Sequence, residues 1–477
     1  MKAFEIPLPE VQKRLTLENP WWISGNGIDP RRQGWPLRAY FAPFRRLVQE
    51  TSVHRAVVLV GPRRVGKTVM LAQCIQFLLD AGTPGTHVLQ VSLDTPLYAG
   101  RSLESLVRTF LELHRHPASR QLWVFFDEIQ YVKDWEVHLK SLVDTFRNIR
   151  FVASGSAAAA LRMKSRESGA GRFTDFMLPP LTFSEYLDFA GLTKNLIIEV
   201  DSKSGFSSPN LNALNAAFVD YLNYGGFPEA VMEPAVRENP ARFLRQDIVE
   251  KVLLKDLPSL YGIGDTQELN RFFNVLAYNT GDELSPEKLT RHSGIRKEKI
   301  ADYLEYLEAA FLIRRVHRVD NNARRMQRAR TFKVYLTNPS LRSALFGYVD
   351  MHDPAMGALA ETAIWSQWLH STSTIQSMHY ARWKQGRRDL EVDLVSVDIR
   401  TQAPRFIVEI KWSDRCFSDW SELSGLRELA KKHELVRRPL VTTLTASGTG
   451  LDGNLEIDFV PTSLHCYTIS RNLLRQA

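Results

Sequence analysis

The stretch Val57-Val-Leu-Val-Gly-Pro-Arg-Arg-Val-Gly-Lys-Thr68 constrains this chain most, because a run of apolar β-formers passes directly into a glycine loop. The order predicts a buried strand, a tight turn and a helix beginning at the lysine. Gly61 and Gly66 let the intervening Pro62, Arg63, Arg64 and Val65 curl, so that backbone N–H groups converge at the positive end of the following helix. A loop of this kind holds phosphate oxygens, which implies nucleotide binding. Lys67 would reach the β- and γ-phosphates, and Thr68 would offer its hydroxyl to Mg²⁺. Met70-Leu-Ala-Gln-Cys-Ile-Gln-Phe-Leu-Leu79 has the composition of a packed helix behind the loop. The bare pattern arises by chance in a chain of this length with a probability of roughly 2%, and the flanking strand and helix lower that further.

A second apolar run, Gln121-Leu-Trp-Val-Phe-Phe-Asp-Glu-Ile-Gln130, ends in adjacent carboxylates. Asp127 would hold Mg²⁺ through water and Glu128 would polarise an attacking water. Neighbours on a strand point opposite ways, so both serve one site only if the strand ends there and the chain turns. Asn148-Ile-Arg-Phe-Val-Ala-Ser-Gly-Ser156 predicts a third strand, with Ser154 and Ser156 placed either to sense a γ-phosphate or simply to form a turn or cap. Arg172, after Gly171, is either a phosphate-contacting arginine, in cis or on a neighbouring subunit, or a solvated loop residue.

This order, followed by Leu178-Pro-Pro-Leu-Thr-Phe-Ser-Glu-Tyr-Leu187, resembles the AAA+ branch of P-loop ATPases. With Tyr224-Gly-Gly-Phe-Pro-Glu229, Lys255-Asp256-Leu257 and Gly357-Ala-Leu-Ala-Glu361, it is similar to a prokaryotic group carrying a C-terminal domain of unknown function that resembles restriction endonucleases. The resemblance implies an α/β fold: a parallel sheet with helices on both faces, ATP at the carboxyl ends of the strands, and a helical lid. It leaves a monomer, a dimer or ring-shaped homo-oligomer equally open.

Composition narrows the partners. Length alone suggests about three domains at roughly 150 residues each, and the net charge of +8 with a pI near 9.3 favours an anionic partner if the cations cluster. Leu284 to Leu307 predicts two short helices joined around Gly294, with Ser285 as N-cap, Pro286 at the first helical position, and Ile300, Leu304 and Leu307 on one face. This is the outline of a helix-turn-helix, and Phe311 to Arg318 starts a winged hairpin. Arg314, Arg315, Arg318, Arg324, Arg325, Arg328, Arg330 and Lys333 then stand against Asp320 alone. Such clustering suits phosphate contact with nucleic acid, DNA before RNA, although a winged helix also serves protein contacts. Cys74, Cys416 and Cys466 are too scattered for a zinc cluster or disulfide framework, and no run is apolar and long enough to span a bilayer. A cytoplasmic protein without a membrane partner is the expectation.

Toward the end, Arg387 to Val397 and Arg405 to Trp412 predict strands. Glu409 and Lys411, two apart, project from one strand face, and Asp393 is placed on the neighbouring strand. Glu361, on a helix predicted over Ala358 to Leu369, would complete a set of Mg²⁺ ligands with Asp393 and Glu409, with Lys411 placing the nucleophile. Charges alternating on an exposed strand face are the plain alternative. The combination resembles the PD-(D/E)XK nuclease fold, whose members also persist as binding modules without catalysis. The expected domains are an extended arm (1–45), an AAA+ core with lid (46–260), a winged-helix-like domain (261–345) and a nuclease-like domain (346–477). The function expected is an ATPase that engages nucleic acid and gates a metal-dependent nuclease-like module. The competing readings are a nucleotide switch with a non-catalytic C-terminal platform, and a regulator that only binds DNA.

Overall fold

The computed structural model describes residues 7–23, 25–156, 171–201, 205–323, 331–369 and 371–476. Contacts divide the chain into two compact units, Met1–Leu178 and Pro179–Gln476.

The first unit is built on strands β1 (Ala56–Val60), β2 (Val88–Ser92), β3 (Leu122–Asp127), β4 (Ile149–Gly155) and β5 (Phe173–Met177). They form one sheet in the order β2-β3-β4-β1-β5, with every neighbouring pair parallel. All residues of β1 and β4 are buried, which is why β1 reads as an unbroken apolar run rather than an alternating one, whereas in β4 the buried Arg150 donates to the backbone oxygens of Val53 and Arg55 and the buried Ser154 to Asp127. Parallel strands need crossovers, and helices Lys67–Asp80, Leu103–Leu113 and Trp135–Thr145 supply them. The segment expected as an extended arm is instead largely helical, with helices Leu8–Glu18 and Phe41–Gln49. Its turn at Asn19 is buried against the edge strand: the side-chain amide donates to Gln90 O at 2.8 Å and its oxygen accepts from Gln90 N at 2.6 Å. The edge of β2 is thereby covered rather than left open for pairing.

The second unit contains a two-stranded ribbon, β6 (Ile198–Asp201) with β7 (Gly205–Ser207), and a mixed sheet. The strands of that sheet are β8 (Glu283–Leu284), β9 (Ile313–Val319), β10 (Phe332–Leu336), β11 (Met378–Gln385), β12 (Arg388–Val397), β13 (Pro404–Glu409), β14 (Leu440–Thr443), β15 (Gly448–Asp452) and β16 (Leu455–Pro461). Its nine strands run in the order β15-β16-β14-β13-β12-β11-β9-β10-β8. The boundary expected at 345/346 is therefore crossed by the sheet, through the parallel pairing of Tyr380 and Ala381 with Arg318 and Val319. The helices expected to form a lid also belong to this unit. Phe183, Tyr186, Phe218 and Tyr221 share its core with Trp365, Tyr380, Leu394 and Tyr467. Ser184 N donates to Ser470 Oγ at 3.1 Å, and Ser463 Oγ donates to Asn215 Oδ1 at 2.6 Å. Each such aromatic contributes about 1.5–3 kcal/mol by leaving water, so these helices are held by the C-terminal core.

Helices Pro286–Ser293 and Lys297–Ala309 meet at Gly294 as expected, and β9 pairs antiparallel with β10 behind them. Ser285 Oγ accepts from Lys288 N at 3.1 Å, capping the first of these helices. Among the described residues no helix is long and apolar enough to cross a membrane, and all three cysteines are buried and free.

Candidate functional site

In the first unit the loop after β1 needs both glycines. A Cβ on Gly61 would lie 2.2 Å from Leu178 O, a backbone atom that cannot give way, and Gly66 has φ +96° where the helix begins. Lys67 is 5% exposed, and its ammonium donates to Gly61 O at 3.1 Å and Pro62 O at 2.7 Å, folding back over the loop. Thr68 Oγ1 donates to Asp127 Oδ2 at 2.8 Å, so hydroxyl and carboxylate stand together at the carboxyl end of the sheet. A hydroxyl beside a carboxylate is the hard oxygen set that suits Mg²⁺, and the residues fit that ion. Burial pushes the Asp127 carboxyl above its usual range, while hydrogen bonds from Ser154 and Thr68 pull the other way.

The chain turns where the paired carboxylates require it: β3 ends at Asp127 and Glu128 takes the left-handed conformation, φ +57°. Ser154 is fully buried, hydrogen-bonded to Asp127 Oδ1, and accepts from Glu128 N at 3.1 Å. Ser156 is buried with a hydroxyl that has no hydrogen-bond partner among the described residues. Gln130 joins the two sides: its amide nitrogen bonds Glu128 Oε2 and its oxygen accepts from Ser156 N at 3.1 Å. Sequence reasoning passed over Gln130, and also Arg38, which is 5% exposed and donates to Val65 O at 2.7 Å inside the glycine loop. Nothing near Arg38 in sequence signals that contact.

Arg172 requires a correction. It immediately precedes β5, which runs parallel to β1, so it stands at the amino end of the sheet, a strand's length of about 17 Å from the loop at the carboxyl end. There it pairs with Asp144, and a contact with a phosphate in its own subunit's loop is excluded.

In the second unit the structure brings Glu361, Asp393, Glu409 and Lys411 together and adds a residue that had been grouped with the hairpin's basic patch. Lys333 on β10 is 4% exposed, with its ammonium 2.8 Å from Glu361 Oε1, 2.7 Å from Glu391 Oε1 and 3.6 Å from Asp393 Oδ1. Asp393 reaches this point through a bulge rather than at a strand end. Ala381 pairs with Val392 and His379 with Val395, so Asp393 and Leu394 stand where the partner strand has only Tyr380. Its Oδ2 accepts from Ile410 N at 2.8 Å, tying β12 to the end of β13. Lys411 Nζ bonds Glu409 Oε1 at 2.7 Å, while Glu409 Oε2 is buried with no hydrogen-bond partner among the described residues. Glu361, on the helix Met356–Ser366, also accepts from the Tyr335 hydroxyl. Burial pushes the Glu361 carboxyl up to about 7 and that of Glu409 up to about 8, with Asp393 adding to both, whereas the neighbouring carboxylates hold Lys333 and Lys411 charged.

This cluster does not fit the divalent ion expected of it. The ammonium of Lys333 stands among the carboxylates where a cation would bind, and among the described residues no group of three or more His, Cys, Asp or Glu side chains is arranged to hold a metal. The basic patch changes too. Arg315 pairs with Glu308, Arg318 donates to Arg382 O at 2.8 Å, and Arg324, Arg325, Arg328 and Arg330 lie outside the described residues. The helix Lys297–Ala309 turns Glu298, Asp302 and Glu305 outward and pairs its half-exposed Lys299 with Glu268, which leaves the charge beyond Lys297 net acidic.

Residues 53–187 match the family described as an AAA domain, and residues 215–351 match a domain of unknown function (DUF8612). The second match ends at residue 351, before the strands that carry Asp393 and Glu409. An uncharacterized protein of Haemophilus influenzae is 26% identical over 287 residues, 58% of this chain and 66% of that one. An uncharacterized protein of Methanocaldococcus jannaschii is 25% identical over 333 residues, 66% of this chain and 68% of that one. The chain thus spans about two thirds of the length of these relatives. Among solved structures, a point mutant of Thermotoga maritima RuvB aligns with a TM-score of 0.29 at 16% identity, over 65% of this chain and 91% of that one. AMPPCP-bound DnaA from Aquifex aeolicus aligns with a TM-score of 0.30 at 12% identity, over 59% and 93%. The glycine loop, the acidic end of β3 and the parallel sheet all fall within the matched segment, and residues 53–187 carry the P-loop AAA+ core of this chain.

Proposed function

We propose that the first unit binds and hydrolyses ATP. The observation that carries this is the meeting of Thr68 and Asp127, 2.8 Å apart, beside a phosphate loop and a strand end that turns at Glu128. Bound Mg²⁺ would neutralise phosphate charge. The loop N–H groups and Lys67 would orient the triphosphate, and Thr68 and Asp127 would hold the ion. Glu128 would take the proton of the attacking water, aligned by Gln130. Because Ser154 is already committed to Asp127 and Glu128, the sensor role passes to Ser156, whose hydroxyl has no hydrogen-bond partner among the described residues. Glu128→Gln should retain ATP binding and slow turnover by about 10²–10⁴-fold, the range of a general base. Steady-state hydrolysis together with equilibrium binding of a labelled ATP analogue checks this, and unaltered turnover would remove Glu128 from the mechanism.

ATP turnover in this reading controls engagement of an anionic partner, with nucleic acid favoured by the +8 charge and the helix-turn-helix outline of residues 285–309. Exposed Lys288, Arg291, Arg296 and Lys297 flank the turn, a placement suited to phosphates rather than to base edges, since the charge on the helix beyond them is net acidic. The second unit serves better as a non-catalytic platform than as a nuclease, and the observation favouring this is the ammonium of Lys333 inside the carboxylate set. Two results are expected with single- and double-stranded DNA and RNA. Binding weakens steeply between about 50 and 200 mM salt, and Mg²⁺ or Mn²⁺ yields no cleavage with or without ATP. Cleavage lost in Glu409→Ala would restore the nuclease reading, and salt-insensitive binding would discard nucleic acid as the partner.

A further inference from the structure

A cavity of about 800 Å³ opens in the second unit between the sheet and the helix Thr462–Gln476. None of Lys333, Glu361, Asp393, Glu409 or Lys411 lines it, so it is separate from the acid–lysine cluster. Its walls continue the unit's apolar core: Trp368, Met378, Phe406, Val408, Ile469 and Leu473 all face it. Its volume falls within the range of about 300–1,000 Å³ typical of small-molecule sites, and an apolar lining with a few fixed polar groups is the usual make-up of such sites.

Charge is concentrated on one sign around these walls. Five arginines line the cavity, of which Arg438 pairs with Glu456 and Arg475 with Glu199. Arg400, Arg405 and Arg437 are exposed and make no ion pair among the described residues. Asp398, the one carboxylate among the described lining residues, is occupied by its own turn, where Oδ1 accepts from Arg400 N at 2.9 Å and Thr401 N at 3.0 Å. His465 also lines the cavity, with an Nε2 that is buried and has no hydrogen-bond partner among the described residues. Burial pushes its imidazole down to about 4, so at neutral pH it is an uncharged group able to bind one polar atom.

We infer that this cavity binds a small anionic amphiphile, its apolar body against the sheet and the helix Thr462–Gln476 and its carboxylate or phosphate head on Arg400, Arg405 and Arg437. A free inorganic anion would leave the apolar walls wet. A neutral apolar molecule would leave the guanidinium fork donors unused, and their planar geometry matches carboxylate and phosphate oxygens.

The test uses the full chain with 8-anilinonaphthalene-1-sulfonate, a dye with an aromatic body and an anionic head. Decanoate and decyl phosphate should displace it, decanol and inorganic phosphate should do so at least about tenfold more weakly. Arg405→Glu and Arg437→Glu, both at exposed unpaired positions, should each weaken dye and decanoate binding by about tenfold while thermal unfolding stays unchanged. Ile469→Asp should place a carboxylate on the opposite, apolar wall and weaken dye and decanoate binding by about tenfold. Equal displacement by decanol and decanoate, or indifference to both charge reversals, overturns the inference. Displacement of the dye by oligothymidine, with none by decanoate, assigns the arginines to nucleic acid instead.

Discussion

Replacing Lys67 by alanine should lower ATP turnover by about 10²–10³-fold, the loss found when one preorganised donor is removed from developing charge. Its ammonium is already over the loop, held by the carbonyl oxygens of Gly61 and Pro62 at 3.1 and 2.7 Å. A bound triphosphate would exchange those neutral acceptors for charged ones, and charge-assisted hydrogen bonds are about twice as strong. Alanine keeps the start of the helix Lys67–Asp80 intact, so the loss should appear in hydrolysis and nucleotide affinity rather than in thermal unfolding. Lys67→Arg should fare little better, because a slot that leaves the lysine 5% exposed has no room for a planar fork. Turnover within about threefold of the parent in Lys67→Ala would refute hydrolysis at this loop, since the loss of such a donor is far larger.

Lys333→Met should destabilise the second unit by about 3–5 kcal/mol, the cost of removing one partner from a buried ion pair. Methionine retains the apolar stem but leaves Glu361 and Asp393 facing each other without the ammonium that touches both. The pH dependence has a definite sign. Glu361 and Glu409, raised to about 7 and about 8, take up protons as pH falls, so the uncompensated charge shrinks and the deficit should be smaller at about pH 5 than at about pH 8.5. Urea unfolding at the two pH values measures both effects. A loss below about 1 kcal/mol at the higher pH would mean that the cluster does not depend on its lysine.

The nucleotide site was readable because each part is local. A strand runs into glycines, a lysine follows at fixed spacing, and a second strand ends in acids, so Gly61, Lys67, Thr68, Asp127 and Glu128 all announce themselves within short windows. Gln130 and Arg38 did not, since their roles depend on Ser156 and Val65, which only folding brings near. Lys333 was the instructive miss. Counting charge along the chain placed it among hairpin cations, yet Phe332-Lys-Val-Tyr-Leu336 is fully buried and reads as an apolar strand interrupted by one ammonium. That pattern signals a buried counter-ion, but naming its partners takes the pairing of β9 with β11, which carries the hairpin into the C-terminal sheet. The boundaries expected at 260 and 345 both fall inside the unit Pro179–Gln476, for a related reason: turn-rich sequence marks loops, and loops inside one core look like linkers.

The partnership of the helices Phe183–Phe189 and Leu211–Tyr224 with Thr462–Gln476 bears on how the protein is made. Ser184 and Ser470, joined by a hydrogen bond, lie 286 positions apart, and Phe183, Phe218 and Tyr467 enclose one core. Closing so long a loop is slow and must precede any reward from the contacts it permits. On a ribosome adding about 5–20 residues per second, the first helices of this unit wait tens of seconds for their last partner. During that wait an aromatic surface built for the interior faces solvent, which makes this unit a natural client for a holdase and a poor survivor of premature termination.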